Sequence, residues 1–146
     1  MQFAPTPTDA YSGQGAAIRG QRWNSRGVAL AYASENAALA LVEYLAHLKE
    51  LGFVPKDLLF FPADLPDDAL APATPPPNGW DTSPPSPETA QFGDSFVRSG
   101  RHLVIAVPSV VIPFATNYLL NPAHAQFAEV TFGTPIPYVI DRRLQP

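Results

Sequence analysis

The sequence predicts an α+β fold in a single domain, and three observations lead to that prediction. One apolar segment with helix signals lies early in the chain, whereas short β-like segments separated by prolines fill the second half. Strand and helix patterns do not alternate regularly, which argues against a doubly wound sheet. No internal repeat appears, and 146 residues suit one domain (1–146) with its own core.

The helix is predicted over residues 35–51. Ser34 is the predicted N-cap, Glu35 suits the positive end of the helix dipole, and Gly52 is a typical C-terminal stop. A short apolar run over residues 28–33 precedes this helix and is compatible with a buried strand.

Further strands are expected in the short apolar runs that follow. They cover residues 58–61, 103–107, 110–112, 117–120 and 137–140. Residues 1–20 are rich in Pro, Thr, Ser and Gly, so we expect loops or short extended pieces there.

Residues 62–87 hold half of the chain's prolines. Composition alone would predict a disordered linker. Trp80 lies inside this segment, however, and Phe92 and Phe96 follow it, and large aromatic side chains seldom stay solvated. We therefore predict a long irregular loop that lies across the domain, and loops of this kind often cover functional sites.

The charge pattern indicates a small anionic ligand rather than a nucleic acid. The formal net charge is −4, yet seven of the nine basic residues are arginine. Arg19, Arg22 and Arg26 fall in one short segment. The planar donors of arginine fit phosphate or carboxylate, so this cluster suggests an anion site. Solvated surface arginines are the alternative interpretation.

Several chemistries are excluded or unsupported. The chain has no cysteine, which excludes disulfides and thiolate chemistry. Its three histidines are scattered, and no metal-ligand spacing is recognisable, so we expect no metal. The chain begins without a signal-peptide pattern and has no apolar run of spanning length. A cytoplasmic protein without membrane contact is the expectation.

Glu43 is the most informative residue of the predicted helix. All residues from 37 to 46 except Glu43 are apolar or aromatic. A helix that is apolar on all sides is normally buried, and a lone buried carboxylate needs a cationic or hydrogen-bonding partner. Arg22, Arg26 and Tyr32 lie shortly upstream as candidates. This combination suits a reaction with a positively charged transition state, whereas a structural glutamate is the alternative.

Several motifs together resemble a known family. Early segments read GQRWNSRG at 20–27, AYASE at 31–35 and ALVE at 40–43, and later segments at 79–81, 92–94, 107–109, 117–124 and 141–144 follow in the expected order. Nearly the whole chain thereby resembles the RES domain, which is named for Arg, Glu and Ser. RES proteins are typically toxins of bacterial type II toxin–antitoxin pairs, and their antitoxins carry an Xre-like helix-turn-helix domain.

The resemblance implies both a fold and a substrate. The fold would be that of the ADP-ribosylating toxins, a compact body around a split, mainly antiparallel sheet with few helices. NAD would be the substrate, cleaved by phosphorolysis or hydrolysis without a further cofactor, with inorganic phosphate as co-substrate. Protein ADP-ribosylation is an open alternative. The implied partners are an Xre-family antitoxin, which would itself contact DNA, and a second copy in a homodimer.

The resemblance also implies roles for individual residues. Glu43 would stabilise the oxocarbenium-like ribose. Tyr32 would stack on nicotinamide or ribose, although a core tyrosine is the alternative. Arg22 would bind the diphosphate or an incoming phosphate, and its alternative is an ion pair with Glu43 or Asp9. The further NAD-binding residues expected are Asn24, Ser109 and Asn121.

Other matched residues are expected to be structural. Trp23 is predicted to lie in the core, and Arg26 at the rim of the site. Asn121 and His124 could pin a turn after a strand instead of contacting the ligand. A Ser–His hydrolase built on Ser109 lacks the glycine pattern of a nucleophile elbow.

One departure from the family pattern weakens the enzymatic interpretation. The family usually has an arginine where this chain has Gln2 or a neighbouring residue. A neutral amide adds no charge to a phosphate site. One non-catalytic hypothesis therefore stays open, namely a domain that only binds its antitoxin. A small-molecule binding domain is a further hypothesis, and an exposed Glu43 would favour it.

Overall fold

The structure, a computed structural model, describes residues 6–145 except for the side chains of residues 49–51. Its helices are α1 Pro7–Ala10, α2 Gln14–Arg19, α3 Ala37–Leu51 and α4 Pro87–Ser99, with 3-10 turns at Ala125–Glu129 and Arg142–Leu144. The strands are β1 Ala31–Ser34, β2 Leu58–Phe60, β3 Ala63–Asp64, β4 Val104–Pro108, β5 Thr116–Leu120, β6 Thr131–Phe132 and β7 Ile136–Tyr138. Gln2 lies outside the described residues.

The strands form a split antiparallel sheet. β5 is the centre of a three-stranded sheet in the order β1-β5-β4, and β2 pairs with β7 and β3 with β6. Since few helices accompany these sheets, the α+β prediction is confirmed. Within the three-stranded sheet, Ser34 and Val107 both lie opposite Asn117. This register brings three strand ends to one place.

The three-stranded sheet is covered on both faces. Alternate residues of a strand point to opposite faces, so its two faces contribute to different clusters. One cluster contains Tyr11, Ala31, Ala69, Leu103, Val104, Leu120 and Val130. The other contains Trp23, Leu30, Phe96, Ile105, Val107 and Leu119, with Tyr32 packed against it. Tyr32 and Ser34 therefore lie on the same face of the sheet as Asn117.

The predicted boundary between β1 and α3 is displaced. Ser34 belongs to the strand, where its hydroxyl donates to Asn117, and so it does not cap the helix. Asn36 is the N-cap instead, because its side-chain oxygen accepts from the N–H of Leu39 at 2.9 Å. Gly52 ends the helix in the left-handed conformation, as predicted.

The prediction missed three helices. Residues 7–10 and 14–19 are helical, although the composition of residues 1–20 predicted loops. α4 follows Ser86, has Pro87 in its first turn and ends at Gly100 in the left-handed conformation. These are standard helix signals, but the preceding proline-rich segment concealed them.

One predicted strand is a turn. Residues 110–115 connect β4 to β5, so the expected strand at 110–112 is wrong. The hydroxyl of Ser109 accepts hydrogen bonds from the N–H groups of Val111 and Ile112, which bends the chain away from a sheet ladder. The remaining predicted strands are present with bounds shifted by one to three residues.

Residues 65–86 have an irregular path that packs onto the rest of the chain. Ala71 donates its N–H to Val104 at 2.8 Å, and Val104 donates to Ala69 at 3.1 Å, so this segment continues the edge of β4. Trp80 stacks on Trp23 with ring centroids 6.1 Å apart. The aromatic side chain therefore anchors the segment.

We expect Gly93→Ala to destabilise the fold strongly. A Cβ at this position in α4 would lie 1.7 Å from the carbonyl oxygen of Trp23, so the helix would have to move. The expected loss in free energy of unfolding is about 3 kcal/mol or more, measured by urea denaturation.

Gly15→Ala is the matched control, because the same substitution in α2 meets no atom within 4 Å. It should stabilise the protein by about 0.5 to 1 kcal/mol. Equal effects of the two variants would contradict the close packing of α4 on Trp23.

Candidate active site

The carboxylate of Glu43 is held by two neutral donors. The Ser109 hydroxyl donates to Oε1 at 2.5 Å, and the Asn117 amide donates to the same oxygen at 2.7 Å. Oε2 has no hydrogen-bond partner among the described residues, and it is not a buried, unsatisfied atom. One carboxylate oxygen is therefore fixed while the other is accessible.

The surroundings of Ser109 determine which hydrogen bond its hydroxyl donates. Its side chain is fully buried, and its oxygen already accepts from Val111 N at 3.1 Å and Ile112 N at 2.9 Å. A hydroxyl has one proton and two acceptor lone pairs. With both lone pairs occupied, Ser109 can only donate to Glu43, so Oε1 must be an unprotonated acceptor.

No arginine contacts the Glu43 carboxylate in the described part of the chain. The expected cationic or hydrogen-bonding partner is therefore of the second kind, and the upstream candidates Arg22, Arg26 and Tyr32 do not supply it in the described structure. Helix α3 is also less buried than its composition predicts, because Leu39 and Leu48 are buried but Glu43 and its neighbours are only half-buried. Partial exposure reduces the desolvation cost, so neutral donors suffice.

Arg22 binds the proline-rich segment. Its Nη1 donates to the carbonyl oxygens of Trp80 at 2.6 Å and Thr82 at 2.8 Å. It makes no ion pair with Glu43 or Asp9 in the described structure. The guanidinium thus tethers this segment to the loop before β1, and its other nitrogens make no hydrogen bond to the described residues.

Tyr32 and Asn24 form a buried polar pair. The Tyr32 hydroxyl donates to Asn24 Oδ1 at 2.7 Å and accepts from Trp23 N at 3.1 Å. Asn24 is 1% exposed, and its amide donates to the carbonyls of Ala16, Ser25 and Val28. All polar atoms of Asn24 are therefore engaged by protein.

The environment of Tyr32 keeps its hydroxyl protonated. Burial raises the pKa of Tyr32 well above its ordinary value, and the negative charge of Asp94 acts in the same direction. The hydrogen bond from Trp23 N and the charge of Arg22 lower the pKa, but their combined effect is smaller. Tyr32 consequently acts as a neutral group at physiological pH.

The remaining predicted residues lie in structural positions. Trp23 is 4% exposed and belongs to the core, as predicted, and Arg26 is exposed. Asn121 is 2% exposed, donates to Val97 O and accepts from Ala123 N. His124 caps the following 3-10 turn by accepting from Gln126 N. Asn121 and His124 therefore pin the turn after β5.

A cleft of about 770 Å³ lies beside β1 and α3. Tyr32 and Ser34 line it, as do Ala40 and Tyr44, which flank Glu43 on its helix. Other lining residues include Phe60, Tyr118 and Tyr138. No lysine or arginine lines the cleft in the described residues. Its size suits a small-molecule ligand, and its aromatic walls, together with Glu35, suit a flat ring that is neutral or positively charged.

Comparison with known proteins agrees with the family resemblance of these motifs. The RES domain model matches residues 3–141. The chain belongs to the RES-domain toxin family.

Three curated relatives cover most of the chain. The Prs ADP-ribosylating toxin of Sphingobium sp. (strain YBL2) is 42% identical over 80% of this RES domain and 74% of its own length. Toxin Res of Pseudomonas putida is 34% identical, with 79% of each chain covered. Toxin Res of Yersinia enterocolitica is 29% identical over 92% of this chain and 90% of its own.

The structure adds two residues that the sequence analysis did not place in the site. Asn117 contacts Glu43, and Ser34 contacts Asn117 at 2.7 Å. Pairing the predicted strands 28–33 and 117–120 in register would have been the signal, but the first strand was predicted to end one residue before Ser34, which was taken as the helix N-cap. Within the described chain, no helix of this RES domain is long and apolar enough to cross a membrane.

We expect Tyr32→Phe to lower the free energy of unfolding by about 2 to 4 kcal/mol, because Asn24 Oδ1 and Trp23 N–H would each lose a partner. The free energy of unfolding of the variant should also fall less than that of the wild type as the pH rises above 10. In the unfolded chain Tyr32 ionises near its ordinary pKa of 10.0, whereas burial raises the folded value. Its contribution is thus complete below pH 10 and is lost as the pH rises further.

The measurement is urea denaturation of the wild type and Tyr32→Phe at several values between about pH 8 and pH 11. Burial also raises the pKa of Tyr11 and Tyr44, so some alkaline destabilisation should persist in the variant. Identical pH slopes for the two proteins would contradict the role assigned to Tyr32.

Proposed function

We propose that this RES domain is an NAD-consuming toxin that breaks the bond between nicotinamide and ribose, with Glu43 as the catalytic carboxylate. The observation that supports this most directly is the geometry of Glu43. One of its oxygens is fixed by Ser109 and Asn117, and the other is accessible. The helix that carries Glu43 lines the aromatic cleft through Ala40, Leu41 and Tyr44, whereas Glu43 itself is not a lining residue. The proposal is also supported by the match of the chain to the RES domain and by relatives that are named as toxins.

The proposed chemistry needs a negative charge near the ribose. The bond between C1 of the ribose and the nicotinamide nitrogen breaks, the electron pair leaves with neutral nicotinamide, and the sugar becomes oxocarbenium-like. An acceptor then bonds to C1 and loses a proton. Glu43 Oε2 would stabilise the positive charge or hold a ribose hydroxyl. Since no arginine neutralises Glu43, its full charge would act on the sugar.

The distribution of charged side chains suggests which part of NAD each region would bind. The cleft beside β1 contains aromatic and aliphatic walls but no described cation, so it would accept a ring rather than the diphosphate. Arg22 would bind the diphosphate through the nitrogens that do not contact Trp80 and Thr82. Tyr32 would present its ring to the ligand, because its hydroxyl is engaged by Asn24.

Two acceptors for ADP-ribose are proposed. The RES resemblance favours inorganic phosphate, which would yield ADP-ribose-1″-phosphate, with water as a slower substitute. A protein acceptor is the second candidate, and the name of the Sphingobium relative as an ADP-ribosylating toxin favours it. An Xre-family antitoxin is proposed as the partner that restrains the toxin, because two relatives are named Toxin Res.

We expect Glu43→Gln to lower the rate of nicotinamide release by about 100-fold or more, because the charge that stabilises the transition state is removed. The amide oxygen of glutamine can still accept from Ser109 and Asn117. The free energy of unfolding should therefore change by less than about 1 kcal/mol. Chromatography of the reaction products measures the first quantity, and urea denaturation the second.

Glu129→Gln is the matched control, since this exposed glutamate lies in the 3-10 turn after β5, away from the described contacts of Glu43. It should keep wild-type turnover. A Glu43→Gln variant that still releases nicotinamide at the wild-type rate would exclude Glu43 from catalysis.

The acceptor can be identified by incubating the purified protein with NAD in the presence and absence of inorganic phosphate. Phosphorolysis predicts that nicotinamide release depends on phosphate. The product should be heavier than ADP-ribose by the mass of one esterified phosphate group. Phosphate-independent loss of NAD with ADP-ribose attached to protein would instead establish the second candidate. No nicotinamide release from wild-type protein under either condition, or with cell extract as acceptor, would refute the proposed activity.

A further inference from the structure

The hydrogen bonds around Glu43 extend across two strands. The Ser34 hydroxyl donates to Asn117 Oδ1 at 2.7 Å, and Asn117 Nδ2 donates to Glu43 Oε1 at 2.7 Å. Each of the three residues belongs to a different element, namely β1, β5 and α3. The carboxylate is therefore connected to the sheet through one amide side chain.

The donor and acceptor of each of these hydrogen bonds follow from the carboxylate at one end of the series. The Asn117 amide has a donor end and an acceptor end. Because an ionised carboxylate can only accept, the NH₂ end must face Glu43 and the oxygen must face Ser34. Ser34 in turn must donate its proton to that oxygen. Both bonds are thus oriented so that a proton donor reaches Glu43.

The register of the sheet places this amide accurately. Ser34 and Asn117 are directly opposite each other in the β1–β5 pair, and Val107 of β4 lies opposite Asn117 on its other side. Asn117 therefore belongs to the central strand, which is paired along both edges. Side chains of opposing residues are close enough for a direct hydrogen bond.

We propose that Asn117, oriented by Ser34, is a positioning residue that holds the Glu43 carboxylate in place and directs its accessible oxygen toward the substrate. The catalytic meaning of this inference rests on the proposed function. The contact between Asn117 and Glu43 is a property of the protein alone, and it can be measured without any turnover. Failure of the inference is therefore distinguishable from failure of the proposed activity.

Other titratable groups near Glu43 have to be separated from it. His47 lies one turn later on α3, and its Nδ1 is 2.7 Å from the backbone carbonyl of Glu43. Glu35, before the helix, accepts from Thr116 N at 3.2 Å. Residues 109–115, which pack against the carboxylate from the β4–β5 turn, include no titratable side chain. Tyr32 on the same sheet face is kept protonated, and Arg22 tethers the proline-rich segment.

The experiment measures the ¹³C chemical shift of the Glu43 side-chain carboxyl group at pH 7, with the signal assigned by its loss in Glu43→Gln. Asn117→Ala should move this signal, because a hydrogen-bond donor to Oε1 is lost. Asn117→Asp should move it further, since a negative charge then faces Oε1. Ser34→Ala should move it less, and Ser34→Thr, which keeps the hydroxyl, should leave it at the wild-type position.

The same variants provide a kinetic test. Asn117→Ala should lower kcat by about 10- to 100-fold, because the carboxylate is no longer held in its productive position. KM for NAD should change less than about 3-fold, because a positioning residue does not bind the ligand. Ser95→Ala is the control for removal of an exposed hydroxyl on α4. Each change of the NMR signal should persist in a His47→Gln background.

Each outcome supports or overturns the inference. An unchanged Glu43 carboxyl signal in folded Asn117→Ala and Asn117→Asp proteins would overturn it, even if turnover fell. If Asn117→Ala does not fold, Asn117→Asp, which keeps the bond from Ser34, and the two Ser34 variants decide the question. Changes of the signal that disappear with His47→Gln would assign the effect to the histidine and refute the role of Asn117. If the wild type releases no nicotinamide, the NMR measurements still decide.

Discussion

The fixation of Glu43 by neutral donors is the constraint on which the site depends. A carboxylate paired with arginine is stabilised by its partner, but its charge is then largely cancelled for any third group. Hydrogen bonds from Ser109 and Asn117 also hold the carboxylate, yet they add no net positive charge. The field of Glu43 is thus available to a sugar that becomes positively charged. Because the helix is only half-buried, the desolvation cost of the carboxylate is small enough for neutral donors to offset.

The segment before β1 has a mainly structural role, although its residues look like ligand contacts in the sequence. Asn24 connects α2, the adjoining loop and Tyr32 through four hydrogen bonds. Ser25 donates from both its N–H and its hydroxyl to Asp94, so the same segment is bound to α4. Arg22 completes this set by holding the proline-rich segment. The segment therefore fixes the surroundings of Tyr32.

The sequence predicted those parts of the fold and site that depend on local signals. The helix carrying Glu43 and its end at Gly52 were predictable, because an apolar run and a glycine stop are local features. Ser109 was predictable only from the family motif. Its bond to Glu43 spans 66 positions, and nothing in the spacing of the two residues indicates it.

The contacts of Arg22 lay beyond prediction for a different reason. Its acceptors are the backbone carbonyls of Trp80 and Thr82, which every residue type possesses, so no side-chain pattern marks them. The sequence instead offered carboxylates as partners, since opposite charges are the visible signal. Asn117 was hidden because its role depends on strand register, and a short strand predicted to end before Ser34 conceals that Ser34 and Asn117 face each other.

The tether at Arg22 relates the proline-rich segment to the site. Its guanidinium is shared between loop carbonyls and, on our proposal, a substrate phosphate. A carbonyl carries only a partial charge, whereas a phosphate oxygen carries a formal one, so the phosphate is the stronger acceptor. Because the planar fork of arginine has five N–H donors and Nη1 alone serves both carbonyls, a phosphate can bind the remaining donors without release of the loop. Substrate binding and anchoring of Trp80 on Trp23 are therefore compatible in this geometry.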